Sequence, residues 1–149
     1  MTYTRHLRSL AAVVVALACT RGHAESPVDP ASLYEVSTAG TSTRLKAGES
    51  GVFVLSIQSK PGAHVSDEAP LKLELKGTQL SLGRDTLALK DSVGKKAAGE
   101  DFAAPRFEVP LKAEAVGKGT VEARLTFFIC TEQLCARQKK TLSVPVEVL

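Results

Sequence analysis

Cys130 and Cys135 are the residues whose type and spacing carry chemistry: two sulfurs separated by Thr131-Glu132-Gln133-Leu134. Such a pair either fastens a hairpin as a structural disulfide or exchanges with the thiols of another protein. Arg137, Lys139 and Lys140 follow closely. Cations there would lower the pKa of a thiol and make the reduced form more reactive; the plain alternative is a solvated strand face. Phe128, two residues before Cys130, is placed to lie over the pair and limit access, or else to pack under a neighbouring loop.

Side-chain parity gives the pair its expected geometry. In the run ending at Cys130, the apolar residues Val121, Ala123, Leu125, Phe127 and Ile129 are odd-numbered. Thr126, Phe128 and Cys130 therefore point to the opposite face of that strand, outside the main core. In the last run Leu142, Val144, Val146 and Val148 are even-numbered, which turns Cys135, Arg137 and Lys139 outward. Both cysteines then share one face, at a separation a cross-hairpin disulfide accepts. Closing so short a loop stabilises by roughly 2 kcal/mol, against nearly 5 kcal/mol for a loop of about 100 residues. A bridge serving stability alone would do better between distant strands, which raises the case for a redox role.

Other chemistry finds little support. His64 is the one histidine beyond the N-terminal leader and reads as a surface strand histidine; Ser66, Asp67 and Glu68 beside it alternate faces and assemble no relay. Two cysteines and one histidine fall short of a tetrahedral zinc set, so neither a metal nor any other cofactor is expected. No glycine-rich loop opens a helix, and nucleotide chemistry is not indicated.

The chain has 149 residues, enough for one domain. Its formal charge of +3 comes from Arg5, Arg8 and Arg21; the remaining sixteen basic residues balance sixteen acidic ones. A domain so balanced has no excess charge to hold nucleic acid or an anionic membrane. Arg5 and Arg8, the apolar run Leu10 to Ala18, and the small residues after it read as an export signal. That run is far short of the roughly 20 residues a transmembrane helix needs. Two processing readings stand: cleavage after Gly22-His23-Ala24, or a lipobox Ala16-Leu17-Ala18-Cys19 that would leave Cys19 lipidated and the protein anchored in the envelope. Either location is exported and oxidising, and with Cys19 lipidated or removed only Cys130 and Cys135 remain to pair.

The elements that must position the cysteines are strands. After a Ser/Thr/Pro/Gly-rich stretch, Phe53-Leu55-Ile57, Leu71-Leu73-Leu75, Leu80-Leu82, Leu87-Leu89 and Phe107-Val109-Leu111-Ala113 continue the period of two. Turn residues fall between them, at Ala47-Gly48-Glu49, Lys60-Pro61-Gly62, Lys76-Gly77-Thr78 and Gly117-Lys118-Gly119. About seven or eight strands with one apolar face each predict an all-β, two-layer immunoglobulin-like antiparallel sandwich, a small barrel being the alternative. The expected organisation is a leader over residues 1–24, a flexible tether over 25–43 and the sandwich over 44–149. Asp91 to Pro105, rich in Lys, Gly and Ala, breaks the rhythm and reads as a long mobile loop able to shield the cysteine pair.

Phe127-Phe128-Ile129-Cys130-Thr131-Glu132-Gln133-Leu134-Cys135, followed by Leu142-Ser143-Val144-Pro145-Val146, resembles the end of the periplasmic N-terminal domains of the DsbD family of transmembrane thiol:disulfide interchange reductases. Lys60-Pro61-Gly62-Ala63-His64-Val65 and Phe107-Glu108-Val109-Pro110-Leu111 extend the likeness upstream, to roughly Leu45–Leu149. The resemblance implies an immunoglobulin-like domain whose cysteine pair, here Cys130 and Cys135, accepts electrons from a membrane partner and passes them to envelope thiol–disulfide proteins. It points to Cys130 as the exchanging sulfur. It does not extend to the membrane and thioredoxin-like parts of the family, so a monomeric domain with separate partners is expected. The chain departs from the family pattern in Ala63-His64-Val65, where aromatic residues are usual, in Ala136-Arg137, where a proline pair is common, and in lacking a recognisable aromatic cap motif between Asp91 and Pro105. A non-enzymatic binding or structural sandwich, its disulfide only stapling a hairpin, is the competing expectation.

Overall fold

The structure, a computed structural model, describes Gly22 and residues 26–149. Residues 1–21 and 23–25, and with them Cys19 and the other residues of the expected export signal and its two expected processing positions, lie outside the described residues. Ten strands form: β1 (Tyr34–Ser37), β2 (Arg44–Leu45), β3 (Ser50–Ser59), β4 (His64–Val65), β5 (Lys72–Thr78), β6 (Leu80–Leu82), β7 (Thr86–Ala88), β8 (Arg106–Ala113), β9 (Gly117–Cys130) and β10 (Cys135–Val148). Short 3-10 turns cover Pro30–Leu33 and Leu89–Asp91. No helix among the described residues is long and apolar enough to cross a membrane.

The strands make two sheets, ordered β1-β3-β8-β6 and β2-β10-β9-β5-β7, the second also pairing β4 with β9. All pairs are antiparallel except β2 with β10. The architecture is the expected two-layer immunoglobulin-like sandwich, and two separate sheets replace the alternative barrel. Period-two alternation is the cause. Phe53, Leu55 and Ile57 from β3 and Phe107, Val109 and Leu111 from β8 meet Leu73, Val121, Leu125, Phe127 and Ile129 of the facing sheet, all buried. Burying each such side chain contributes about 1.5–3 kcal/mol.

The domain begins earlier than expected. Residues 30–43, assigned to a tether, belong to the sandwich from Pro30 onward. Asp29 caps the first turn by accepting from the Ala31 amide at 3.0 Å, and β1 pairs with β3 from Tyr34↔Ser59 to Ser37↔Ser56. Tyr34 is only 4% exposed and meets the Phe127 ring edge-on at 4.8 Å between centroids. Thr41 Oγ1 then accepts from the Val54 amide at 3.0 Å, and the Ser42 amide donates to Val52 O at 2.8 Å. One strand of four residues, set in Ser/Thr/Ala-rich sequence, is too short to show a period, yet its one large ring reaches the core.

Two irregular segments frame the end of β9. Between β4 and β5, residues 66–71 leave the sheet and return, with Ser66 Oγ accepting from the Ala69 amide at 3.0 Å. Residues 92–105 form the expected long loop, and its base is pinned. Ser92 Oγ accepts from the Arg106 amide at 2.9 Å and from the Gly94 amide at 3.2 Å, and the Val93 amide donates to Arg106 O at 2.7 Å. Gly94 is required there, because a Cβ on it would run into the carbonyl oxygen of Ala104.

Candidate functional site

The β9–β10 hairpin is built from two fourteen-residue strands in unbroken register, from Gly117↔Val148 to Cys130↔Cys135. Its turn closes where the Thr131 amide donates to Leu134 O at 2.8 Å, and Thr131 Oγ1 accepts from the Gln133 and Leu134 amides at 3.2 and 3.3 Å. Antiparallel bonding alternates, so the next pair outward from that bond, Cys130 and Cys135, is a close, non-hydrogen-bonded one. Their Cα atoms are 4.1 Å apart and their sulfurs are joined in a disulfide. The shared face and the cross-hairpin bond follow the parity reading.

On the other side of β9, β4 brings His64 directly opposite Cys130, with Val65 opposite Ile129. Facing residues of paired strands project to the same side of the sheet. His64, Cys130 and Cys135 thus stand in one row across three strands, on the face away from the core. The loop over residues 92–105 reaches this row through Phe102, whose ring stacks on the imidazole of His64 at 3.7 Å between centroids and 7° between planes.

Exposure divides the pair. Cys135 is exposed, whereas Cys130 is 3% exposed although it is not part of the apolar core cluster. Parity placed Cys130 on the face away from the core cluster, and there it is nonetheless buried. On the outer face around it His64 and Phe128 are half-buried, and Phe102 of the loop stacks on His64. Of the two cysteines, Cys135 is the exposed residue.

No protein-family model matches the chain, and no characterised protein matches it either.

The remaining sequence candidates fall as follows. Phe128 is half-buried on the outer face opposite Arg137, and its carbonyl accepts from the Ser66 amide at 2.9 Å. Arg137 and Lys139 are exposed on that same face, and no ion pair engages either among the described residues. Lys140 turns to the other side, 5.6 Å from the centroid of the Tyr34 ring, and does not join the row. Two residues gain meaning from the structure: His64, read as a surface strand histidine, and Phe102, which the sequence did not single out. The one available signal for Phe102 was that it is the single aromatic residue between Asp91 and Pro105.

A groove of about 700 Å³ runs beside the row, between residues 58–65 and the loop, bordered by Lys60, Lys95, Glu100, Asp101 and Glu132. At the start of the loop Asp91 accepts from Arg84 Nη1 and from the Ala88 amide, both at 2.8 Å. These bonds, that from Arg84 foremost, hold its carboxyl below the usual carboxylate range. No group of three His, Cys, Asp or Glu side chains is clustered for a metal ion among the described residues.

Proposed function

We propose that this domain is an exported thiol–disulfide exchange module that works through Cys130 and Cys135. The observation that carries the reading is the asymmetry of the disulfide, which joins exposed Cys135 on an outer strand to buried Cys130 in register with His64. The likeness of residues 127–135 and 142–146 to the DsbD periplasmic domains supports the same conclusion, as does the small stabilisation that so short a loop provides.

In the exchange, a partner thiolate attacks Sγ of Cys135. The Cys130–Cys135 bond breaks and its electron pair leaves on Sγ of Cys130, while the new bond joins partner to Cys135. A second thiol of the same partner attacks its own sulfur in that mixed disulfide and releases Cys135. The partner dithiol becomes a disulfide, the domain becomes a dithiol, and the two protons pass from one to the other. The reverse sequence hands the electrons on. His64 faces Cys130 across the ladder, on the side of the sheet where the departing sulfur lies, and is placed to donate a hydrogen bond toward it. Phe102, stacked on His64, and the loop behind it exclude unselected thiols.

A structural staple within a binding domain is favoured by one fact, the burial of Cys130. Trapping separates the two readings. Cys130→Ala leaves Cys135 without its resolving thiol, so mixed disulfides through Cys135 should accumulate in extracts of the expressing cells and disappear on reduction. A protein recovered only as free monomer under non-reducing electrophoresis contradicts exchange.

A further inference from the structure

We propose that the open edge of β10, from Cys135 to Ser143, is the docking site for an extended, acidic segment of the partner, added as a further strand to the second sheet. The docking is argued from β10 itself; only the identity of the partner as a thiol protein rests on the preceding section.

The alternation that makes Cys130↔Cys135 a non-hydrogen-bonded pair also fixes where the rest of β10 aims its backbone. Even-numbered residues bond to β9, and odd-numbered residues point their N–H and C=O off the sheet. At the far end these outward groups are used: the Glu147 amide donates to Thr43 O and the Leu149 amide to Leu45 O, both at 2.8 Å. The β2 pairing covers only Glu147 and Val148, and Pro145, at an outward position, has no N–H to offer. Upstream, Cys135, Arg137, Lys139, Thr141 and Ser143 are all exposed and pair with no strand among the described residues; the Arg137 carbonyl accepts only from its neighbour's side chain, Gln138 Nε2 at 2.9 Å, which an incoming strand must displace. An unpaired edge of this length is the feature to which extended peptides add.

Charge selects the occupant. Arg137 and Lys139 rise on the outer face immediately inside the edge, exposed and engaged in no ion pair among the described residues. Basic residues also protect edges against unwanted pairing. That role alone leaves unexplained why the open stretch starts at the exposed sulfur. A residue opposite Cys135 on an added antiparallel strand would form a hydrogen-bonded pair with it, about 5.5 Å away between Cα atoms, within the range a disulfide bridges. It would lie on the side of Cys135 away from Cys130, which is the side from which a thiolate displaces that leaving sulfur. The row His64, Cys130, Cys135 is thus continued by one more position, supplied in trans.

The test uses the oxidised protein and synthetic octapeptides that alternate Val or Thr with Glu and carry one central Ser. Titration followed by amide NMR should shift the resonances of Cys135, Arg137, Lys139, Thr141 and Ser143 and slow their hydrogen exchange. A Lys-for-Glu twin should bind about tenfold more weakly. Thr141→Pro removes an N–H that bonds nothing within the sheet, so thermal stability should hold while peptide binding falls about tenfold. Binding unaffected by Thr141→Pro, or shifts that map elsewhere, overturns the proposal. Should that variant not fold, the pair Arg137→Glu and Lys139→Glu must reverse the preference between the two peptides, and an unchanged preference overturns it equally. A Cys version of the acidic peptide then separates the two readings. Docking of the Ser peptide without exchange of the Cys peptide removes the exchange function alone, and exchange without docking removes the strand site alone.

Discussion

His64 and Cys130 face one another across the β4–β9 ladder, although 66 positions separate them in the chain, and their side chains stand on the same side of the sheet. This puts the one described imidazole beside the sulfur that departs when Cys135 is attacked. A positive charge there stabilises a thiolate and so favours the reduced form. His64→Gln should therefore lower the reduction potential of the pair by on the order of 20–30 mV, since 30 mV corresponds to about 1.4 kcal/mol for a two-electron couple. Equilibration with glutathione buffers measures this directly, and an unchanged potential would reduce His64 to a packing residue.

Phe102 acts through access rather than equilibrium. Its ring stacks on His64 and is 36% exposed, so it covers the row without being locked in the core. Phe102→Ala should speed reduction of the disulfide by dithiothreitol several-fold and leave the potential where it was. Equal rates for variant and parent would mean that the loop does not guard the sulfurs.

How much of this was legible in the sequence depends on whether a local period carried it. The facing of Cys130 and Cys135 followed from odd and even numbering along two long strands. The two-layer fold followed from the same alternation. His64 could not be counted into register, because residues 66–71 leave the sheet between β4 and β5 and break the numbering. Phe102 is one aromatic residue in an aperiodic loop, and the contact that gives it meaning lies on a distant strand. Tyr34 and Val36 make a strand too short to stand out from its Ser- and Thr-rich surroundings. The burial of Cys130 was invisible for a related reason: parity tells which face a residue takes, and only the tertiary fold tells what covers that face.

Tyr34 tests the revised domain boundary. It is buried against Phe127, and its hydroxyl donates to Gln138 Oε1 at 3.1 Å. Tyr34→Ala should cost about 3–5 kcal/mol in urea unfolding, the range for removing a buried aromatic ring. Tyr34→Phe, which loses only the hydrogen bond, should cost about 1 kcal/mol. A near-neutral Tyr34→Ala would return residues 30–37 to the tether.

Asp91 gives the loop a pH dependence with a definite sign. Its carboxyl is held below the ordinary Asp value of 3.8, chiefly by the bond from Arg84 and then by that from the Ala88 amide. A depressed carboxylate contributes stability that is fully present above its unfolded pKa and is lost as the pH falls through its folded one. Amide exchange at Ala88, Ser92 and Val93, corrected for its intrinsic pH dependence, should therefore keep its protection at neutral pH and lose it progressively as the pH falls through the ordinary carboxylate range and below. Asp91→Asn should reproduce that loss at neutral pH. Protection that persists in the variant would show that the loop base is held by Ser92 and Gly94 alone.

The most direct measurement is the reduction potential of the Cys130–Cys135 pair in the folded protein. The proposed exchange requires a value between about −120 and −270 mV, the span of disulfides that are made and broken in use. A value below about −300 mV would mark a bond that partner thiols do not open, and would contradict the account.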